Sequence, residues 1–529
     1  MSRYDPTTRT WYGPKQPPVL NPAASIGQVI VNILERTPEK LIQLDAVTGE
    51  EYTCDKLRLH MIRTAINLAQ VFKISKGDMV CMVLDNRSCV MPVLFGCFLV
   101  GAPVHTLDAS FQESDLTHLM GLTKPKLVFC TEHNQSTVQN AIKLIQSEAQ
   151  LIVLDGSENH KRIFATHDAE KLYRPPYLGD SDQTIAVVVC SSGTTGLPKA
   201  VCVTHAQLIA PYSMISHMEP STVLCFSSLY WIFAFQMLLL TVFNGFKRVI
   251  TTRPFSPAYA CELVNRYEVT NAFVPPPMLA EMVEYCEVRQ MKLPTLKMVG
   301  VGGSSLPESL RKRANALSPN GRVFVGYAMS ETGGIMSLGL LEKPNSVGIL
   351  MPNVSMRIAA DDGTLLGPGE EGEIQIRYIH PFVGYYGNEE ATRALLTADG
   401  FIKSGDIGCM DSTGFLFITD RKKEMIRHRG YQIAPAELEA LLMEIPGVVQ
   451  AVVVATPEKK PPHDDLPAAL VVRSAEGMAT VREEDVLEYV NGKVPDYKRL
   501  RGGVFFVKGL PTTANGKINR MAAKKLVPV

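Results

Sequence analysis

Residues 185–204 read Ile-Ala-Val-Val-Val-Cys-Ser-Ser-Gly-Thr-Thr-Gly-Leu-Pro-Lys-Ala-Val-Cys-Val-Thr. The apolar, largely β-branched run Ile185–Cys190 is too short for a helix and predicts a buried strand. Ala200–Thr204 predicts a second strand. Between them lie Ser191, Ser192, Gly193, Thr194, Thr195, Gly196 and Lys199. Glycines let backbone amides approach an anion, hydroxyls add donors, and a lysine supplies a point charge. The chemistry is that of a phosphate loop. The spacing is not GxxxxGK[ST], so this is no P-loop of the Walker type.

The chain has 529 residues, too many for one core, so two or more domains are expected. With 46% apolar and 20% charged residues it has ample core material, and its 53 basic and 53 acidic residues cancel. Such a balance gives no electrostatic footprint for nucleic acid or an anionic membrane. The 11 cysteines are scattered without a CxxC pair, and the 11 histidines form no HExxH-like cluster. Free thiols in a reducing compartment are expected. Met1–Pro6 lacks the apolar core of a signal peptide, and Val527-Pro528-Val529 is not a Ser-Lys-Leu address. Leu229–Phe243 is shorter than a bilayer-spanning helix of about 20 residues and predicts a buried helix instead. The expected location is cytosolic.

Working outward, residues 1–22 are polar and proline-rich and predict a surface strap. Asp55 is placed to cap an amphipathic helix running to Phe72. From Met79 to Leu154, and again from Arg248 to Val325, short apolar strands alternate with helical patterns, the mark of βαβ units and parallel sheets. Beyond about Asn345 short strands alternate with turns, which predicts a small β-rich subdomain over about 345–420. A charged stretch, Arg421-Lys422-Lys423-Glu424, then precedes a compact α+β tail. The expected fold is α/β, with a large domain at 1–420 and a smaller one at 421–529.

Further stretches share this chemistry: Gly302-Gly303-Ser304, Gly326-Tyr327-Ala328-Met329-Ser330-Glu331-Thr332, Ser404-Gly405-Asp406, Asp420-Arg421-Lys422-Lys423, Gly430-Tyr431 and Asn515-Gly516-Lys517. In this order and spacing the chain resembles the adenylate-forming superfamily of acyl-CoA synthetases, 4-coumarate–CoA ligases and luciferases. It looks most like luciferase-like acyl-CoA ligases of insects. The resemblance runs from about residue 25 to the C-terminus. It implies an ATP-dependent carboxylic acid:CoA ligase working through an acyl-adenylate, with ATP, Mg²⁺ and coenzyme A as cofactors and co-substrates. The implied acid is a medium- or long-chain fatty acid or an arylalkenoic acid.

Residue by residue, the resemblance implies that Ser191–Lys199 grips the β- and γ-phosphates and that Ser330 reaches the α-phosphate. Glu331 would hold Mg²⁺. Tyr327, Gly326, Gly303 and Ser304 would wall the adenine, and Asp406 and Arg421 would bind the ribose hydroxyls. Lys517 would drive adenylation from the mobile tail. Lys423 would be the hinge near 421–423, and Gly430-Tyr431 would serve the thioester step. Trp231, Phe233 and Gly302 would line the acyl pocket.

Three positions depart from the pattern. Trp231 stands where many relatives have histidine, Ala328 where glycine is usual, and Arg427 where luciferases use a lysine for oxidation. The resemblance therefore does not extend to light emission. Two other readings stay open: an enzyme adenylating an amino acid or other carboxylate without CoA, and a nucleotide-binding homologue without turnover. Against them, the pocket segment lacks an aspartate to meet an α-ammonium, and Lys199, Glu331, Asp406, Arg421 and Lys517 are all retained.

Overall fold

The computed structural model describes residues 2–18, 20–21, 23–191, 198–211, 219–339, 343–428, 431–457, 465–475, 477–512 and 517–528. The parallel units expected from the alternation form two sheets. One has six strands, in the order Lys199–Thr204, Ile185–Ser191, Val104–Leu107, Val80–Val83, Leu127–Cys130 and Gln150–Val153. All its pairings are parallel except the first, the hairpin that carries the phosphate-loop sequence.

The other sheet has fifteen strands among the described residues. Its parallel half holds Leu41–Asp45, Lys247–Ile250, Thr222–Cys225, Asn271–Val274, Met298–Gly302 and Arg322–Met329. Arg322–Met329 then turns back antiparallel into Gly334–Leu338. Through Gly348–Leu350 the sheet continues into Phe415–Arg421, Ile402–Met410, Gly372–Tyr378 and Val354–Ala359. The β-rich segment thus has its own buried core around Met356, Ile358, Ile374 and Leu416, yet its strands extend the large sheet.

Helices fill the space between the sheets. Val90–Val100 is apolar all round and buried along nearly its whole length, as such a helix must be. It crosses Cys54–Gln70 closely at Gly96, where a Cβ would sit 2.4 Å from Thr64 Cγ2. The cap of Cys54–Gln70 is Thr53, whose hydroxyl accepts from the Lys56 N–H at 3.2 Å. Asp55 falls inside the first turn and pairs with Arg58 instead. The proline run Pro275–Pro277 follows the strand Asn271–Val274. Pro276 opens the helix Pro276–Val288, where a missing N–H costs nothing.

The N-terminal strap also differs from expectation. Arg3–Asp5 and Thr10–Tyr12 form a hairpin on the edge of the large sheet, with Trp11 opposite Met356. Trp11 is only 1% exposed, and its burial outweighs the polar composition around it.

The small C-terminal domain packs Pro435–Leu442 and Glu483–Asn491 on a three-stranded sheet of Val448–Pro457, Asp465–Arg473 and Gly503–Phe506. No helix among the described residues is long and apolar enough to cross a membrane. If the N-terminal hairpin is integral to the large sheet, Trp11→Ala should lower unfolding free energy by about 3 kcal/mol. Urea unfolding followed by circular dichroism would show this as an earlier midpoint; an unmoved midpoint would make the hairpin an ornament.

Candidate active site

Ser191 and Lys199 are direct partners in the antiparallel pair of Ile185–Ser191 and Lys199–Thr204. The Lys199 ammonium sits 5.0 Å from the ring centre of Tyr385. Tyr385 belongs to a segment stitched onto the same hairpin through Val201 and through the Tyr386 N–H, which donates to the Ala200 carbonyl at 2.8 Å. Its hydroxyl donates to Glu331 Oε1 at 2.9 Å. One tyrosine thereby joins the phosphate-loop lysine to the carboxylate from the other sheet.

Glu331 lies in the turn between Arg322–Met329 and Gly334–Leu338 and is 9% exposed. Two buried glutamines pin this turn. Gln207 Nε2 donates to the Glu331 carbonyl at 3.4 Å, and Gln236 Nε2 donates to the Gly333 carbonyl at 2.9 Å. Burial pushes the Glu331 carboxyl above its ordinary range, opposed by the Tyr385 hydroxyl and the Arg421 charge. Among the described residues no three His, Cys, Asp or Glu side chains form a metal cage. A single carboxylate with one oxygen already oriented fits Mg²⁺, which keeps waters and phosphate oxygens as its other ligands.

Tyr327 and Asp406 meet on neighbouring parts of the large sheet. The Tyr327 hydroxyl donates to Asp406 Oδ2 at 2.7 Å, and Arg421 Nε lies 3.5 Å from Asp406 Oδ1. Asp406 and Arg421 are cross-strand partners, so the pairing register itself sets them side by side. Burial raises the Asp406 carboxyl, while Arg421 and Tyr327 hold it down; the Tyr327 phenol is raised well above its ordinary value by burial and the adjacent carboxylate. A register shift between Tyr327 and Ala328 leaves the Ala328 methyl exposed. Such irregularities re-aim side chains beside sites. Ser330 closes the turn, its carbonyl accepting from the Gly333 N–H at 3.0 Å.

Lys517 comes from the small domain into the same neighbourhood, with Arg421 and Asp406 as charged neighbours. Its stem lies against Gly303, which has φ +93°: a Cβ there would sit 2.5 Å from Lys517 Cε. Its ammonium stands 5.3 Å from the Trp231 ring centre. Burial and Arg421 lower its pKa to about 8. Gly302 ends the strand beside Gly326, and Ser304 is exposed next to Gly303. Phe233 stacks edge-to-face on Phe273 at 5.9 Å, in the first turn of the helix that Trp231 caps.

Ser192, Gly193, Thr194, Thr195, Gly196, Gly430, Asn515 and Gly516 lie outside the described residues. Lys423 is exposed in the turn linking the two domains. Tyr431 stands apart from the cluster, 54% exposed and stacked on Tyr497 at 4.1 Å. The sequence reading missed Tyr385, Gln207 and Gln236 as site residues. Tyr385 had a local signal: the aromatic pair Tyr385-Tyr386 is bracketed by Gly384 and Gly387, both at positive φ. The glutamines had only their polarity within apolar runs.

Comparison with known proteins agrees with this geometry. The AMP-binding enzyme family model matches residues 32–386, and the model of the AMP-binding enzyme C-terminal domain matches 437–517. A probable 4-coumarate–CoA ligase of Dictyostelium discoideum is 28% identical over 98% of each chain. The luciferase-like enzyme of the nonluminescent mealworm Zophobas morio superposes with a TM-score of 0.72 at 27% identity, covering 79% of this chain and all of that one. An anthranilate CoA ligase in complex with anthranoyl-AMP shares the fold, with a TM-score of 0.86 at 18% identity over 96% and 98% of the two chains. The chain therefore belongs to the AMP-binding enzyme family, among its adenylate-forming acid–thiol ligases.

Proposed function

We propose that the protein joins an apolar carboxylic acid, a medium- or long-chain fatty acid or an arylalkenoic acid, to coenzyme A through an acyl-adenylate. The observation that carries this reading is the seat of Lys517, delivered by the small domain to Gly303 and Trp231 beside Asp406 and Arg421. A carboxylate cannot shed oxide, so it first attacks the α-phosphorus of ATP and expels pyrophosphate. Both reactants are anions, and preorganised cations and donors lower the barrier to bringing them together.

In this reading the Ser191–Lys199 loop binds the departing phosphates, and Tyr385 fixes the distance between Lys199 and Glu331. Glu331 would hold Mg²⁺, which supplies charge neutralisation at the phosphates. Asp406 and Arg421 present an acceptor and a donor to the ribose diol, and the Tyr327 ring offers a face for the base. Lys517 stabilises the charge developing between acid and α-phosphate. Trp231 and Phe233, with Phe273 behind, favour an apolar acid.

The thioester step requires CoA where Lys517 now sits. We assign the exchange to rotation of residues 421–529 about Lys423, which would bring Gly430-Tyr431 to the cleft. Such a rotation must part the helix Pro276–Val288 from the strand Val448–Pro457 and withdraw Lys517 from Trp231 and Gly303. The Asp420 carboxylate accepts from the Ala436 N–H at 2.9 Å across the boundary, whereas Arg520–Glu424 at 2.9 Å would travel with the small domain. A cytosolic location is proposed on separate grounds: all eleven cysteines are free thiols.

Lys517→Ala should reduce acid-dependent ATP–pyrophosphate exchange on the order of 10²–10³-fold and leave conversion of supplied acyl-AMP to thioester intact. Equal loss in both half-reactions would contradict the assignment. Because Lys517 acts as a cation with a pKa near 8, kcat/KM for adenylation should fall as pH rises through that value. Lys517→Arg should remove this basic limb. Tyr385→Phe leaves Glu331 without its oriented partner and should raise the Mg²⁺ concentration for half-maximal adenylation by about 10-fold. An unchanged magnesium titration would show that Tyr385 only packs.

A further inference from the structure

A lysine side chain has four rotatable bonds, and Lys517 directly precedes Ile518, which bridges to Thr512. A cation on so flexible a stem is effective only if something fixes it. Two contacts do so from the opposite domain. The backbone at Gly303 lies against the stem, with a Cβ position there only 2.5 Å from Cε and 2.9 Å from Nζ. The Trp231 ring meets the ammonium.

The indole is itself held by its ring contacts. Tyr230 packs edge-on at 4.7 Å, while the buried indole Nε1 has no hydrogen-bond partner among the described residues. Trp231 also caps the helix Ile232–Asn244, whose first turn carries Phe233 beside Phe273. The same ring therefore borders both the adenylating lysine and the aromatic wall assigned to the acid.

We infer that Trp231 is a positioning residue for Lys517: its π face seats the ammonium for adenylation, so an acid that displaces the indole weakens catalysis as well as binding. The inference rests on the adenylating role given to Lys517 above. An ammonium near an aromatic face is stabilised by the ring quadrupole, more strongly once it is desolvated. A leucine there stays apolar but loses that attraction together with part of the ring's packing, and a phenylalanine restores a π face at smaller size. Without that attraction, burial and Arg421 act on Lys517 unopposed by the ring, so the lysine should deprotonate at lower pH.

The test compares Trp231→Leu and Trp231→Phe with the parent enzyme, using pyrophosphate release at saturating acid and ATP, thioester formation from supplied acyl-AMP, and the pH profile of each. Trp231→Leu should slow adenylation by about 3–30-fold, move its basic limb to lower pH and spare the thioester step. Trp231→Phe should recover part of the loss. A change confined to KM for the acid, with kcat and the basic limb unmoved, would overturn the inference and leave Trp231 a wall residue.

Should the leucine variant fold poorly, fluorinated tryptophans placed in a Trp11→Phe background provide the second arm, because the chain has only two tryptophans. Adenylation should fall stepwise as ring fluorination withdraws π density; a flat series would overturn the inference. Lys517→Ala serves as the control. If it leaves adenylation intact, the role of Lys517 fails and the inference falls with it. If only the Trp231 series is flat, the ligase reading stands alone.

Discussion

Lys517 reaches Trp231 past the bare backbone of Gly303, where a Cβ would crowd the lysine stem. That clearance depends on the large sheet. Met298–Gly302 is an interior parallel strand, paired on both sides, and Gly303 is the first residue beyond its end. The left-handed backbone at Gly303 turns the chain away from the strand axis, a conformation that a residue with Cβ adopts at a cost. Ligands of open α/β sheets bind where parallel strands end at their carboxyl edge. Here that edge is also where the second domain delivers its cation.

The other charges of the site are arranged around the same opening. Glu331 and Asp406 are buried carboxylates, which are costly unless partnered. Each has a tyrosine donor from a different segment, Tyr385 for Glu331 and Tyr327 for Asp406, and Arg421 lies within electrostatic reach of both. Cations and anions are thus interleaved before any nucleotide arrives. A polyphosphate entering such a site meets donors already fixed in place, which is the condition for electrostatic catalysis. The burial that raises the two carboxyls also lowers Lys517, so one dry environment tunes groups of both signs.

Much of this was legible in the sequence because the chemistry sits in short contiguous runs. The β-branched strands around Ser191–Lys199 needed only local pattern, and the segments at 326–332, 404–406 and 420–423 were found through the resemblance that their order and spacing carry. What stayed hidden depends on contacts distant along the chain. Nothing near Trp11 says that it pairs opposite Met356. Gln236 reads as a stray polar group in an apolar helix until the turn at Gly333 is laid against it. Proline at the start of Pro276–Val288 sits at the first helical position, which tolerates its missing N–H, and only the packed helix distinguishes that use from a strand end. Trp231 was recognised as a departure from pattern, but its nearness to Lys517 arises only when the small domain docks.

The central claim is that this cleft activates a carboxylic acid as its adenylate and passes it to a thiol. Pyrophosphate release across a panel of fatty, arylalkenoic and amino acids, measured with and without CoA, tests it most directly. The account predicts acid-dependent release and ATP–pyrophosphate exchange with fatty or arylalkenoic acids, followed by AMP and thioester formation when CoA is added. Tight ATP binding with no exchange for any acid, or exchange with amino acids alone, would contradict it.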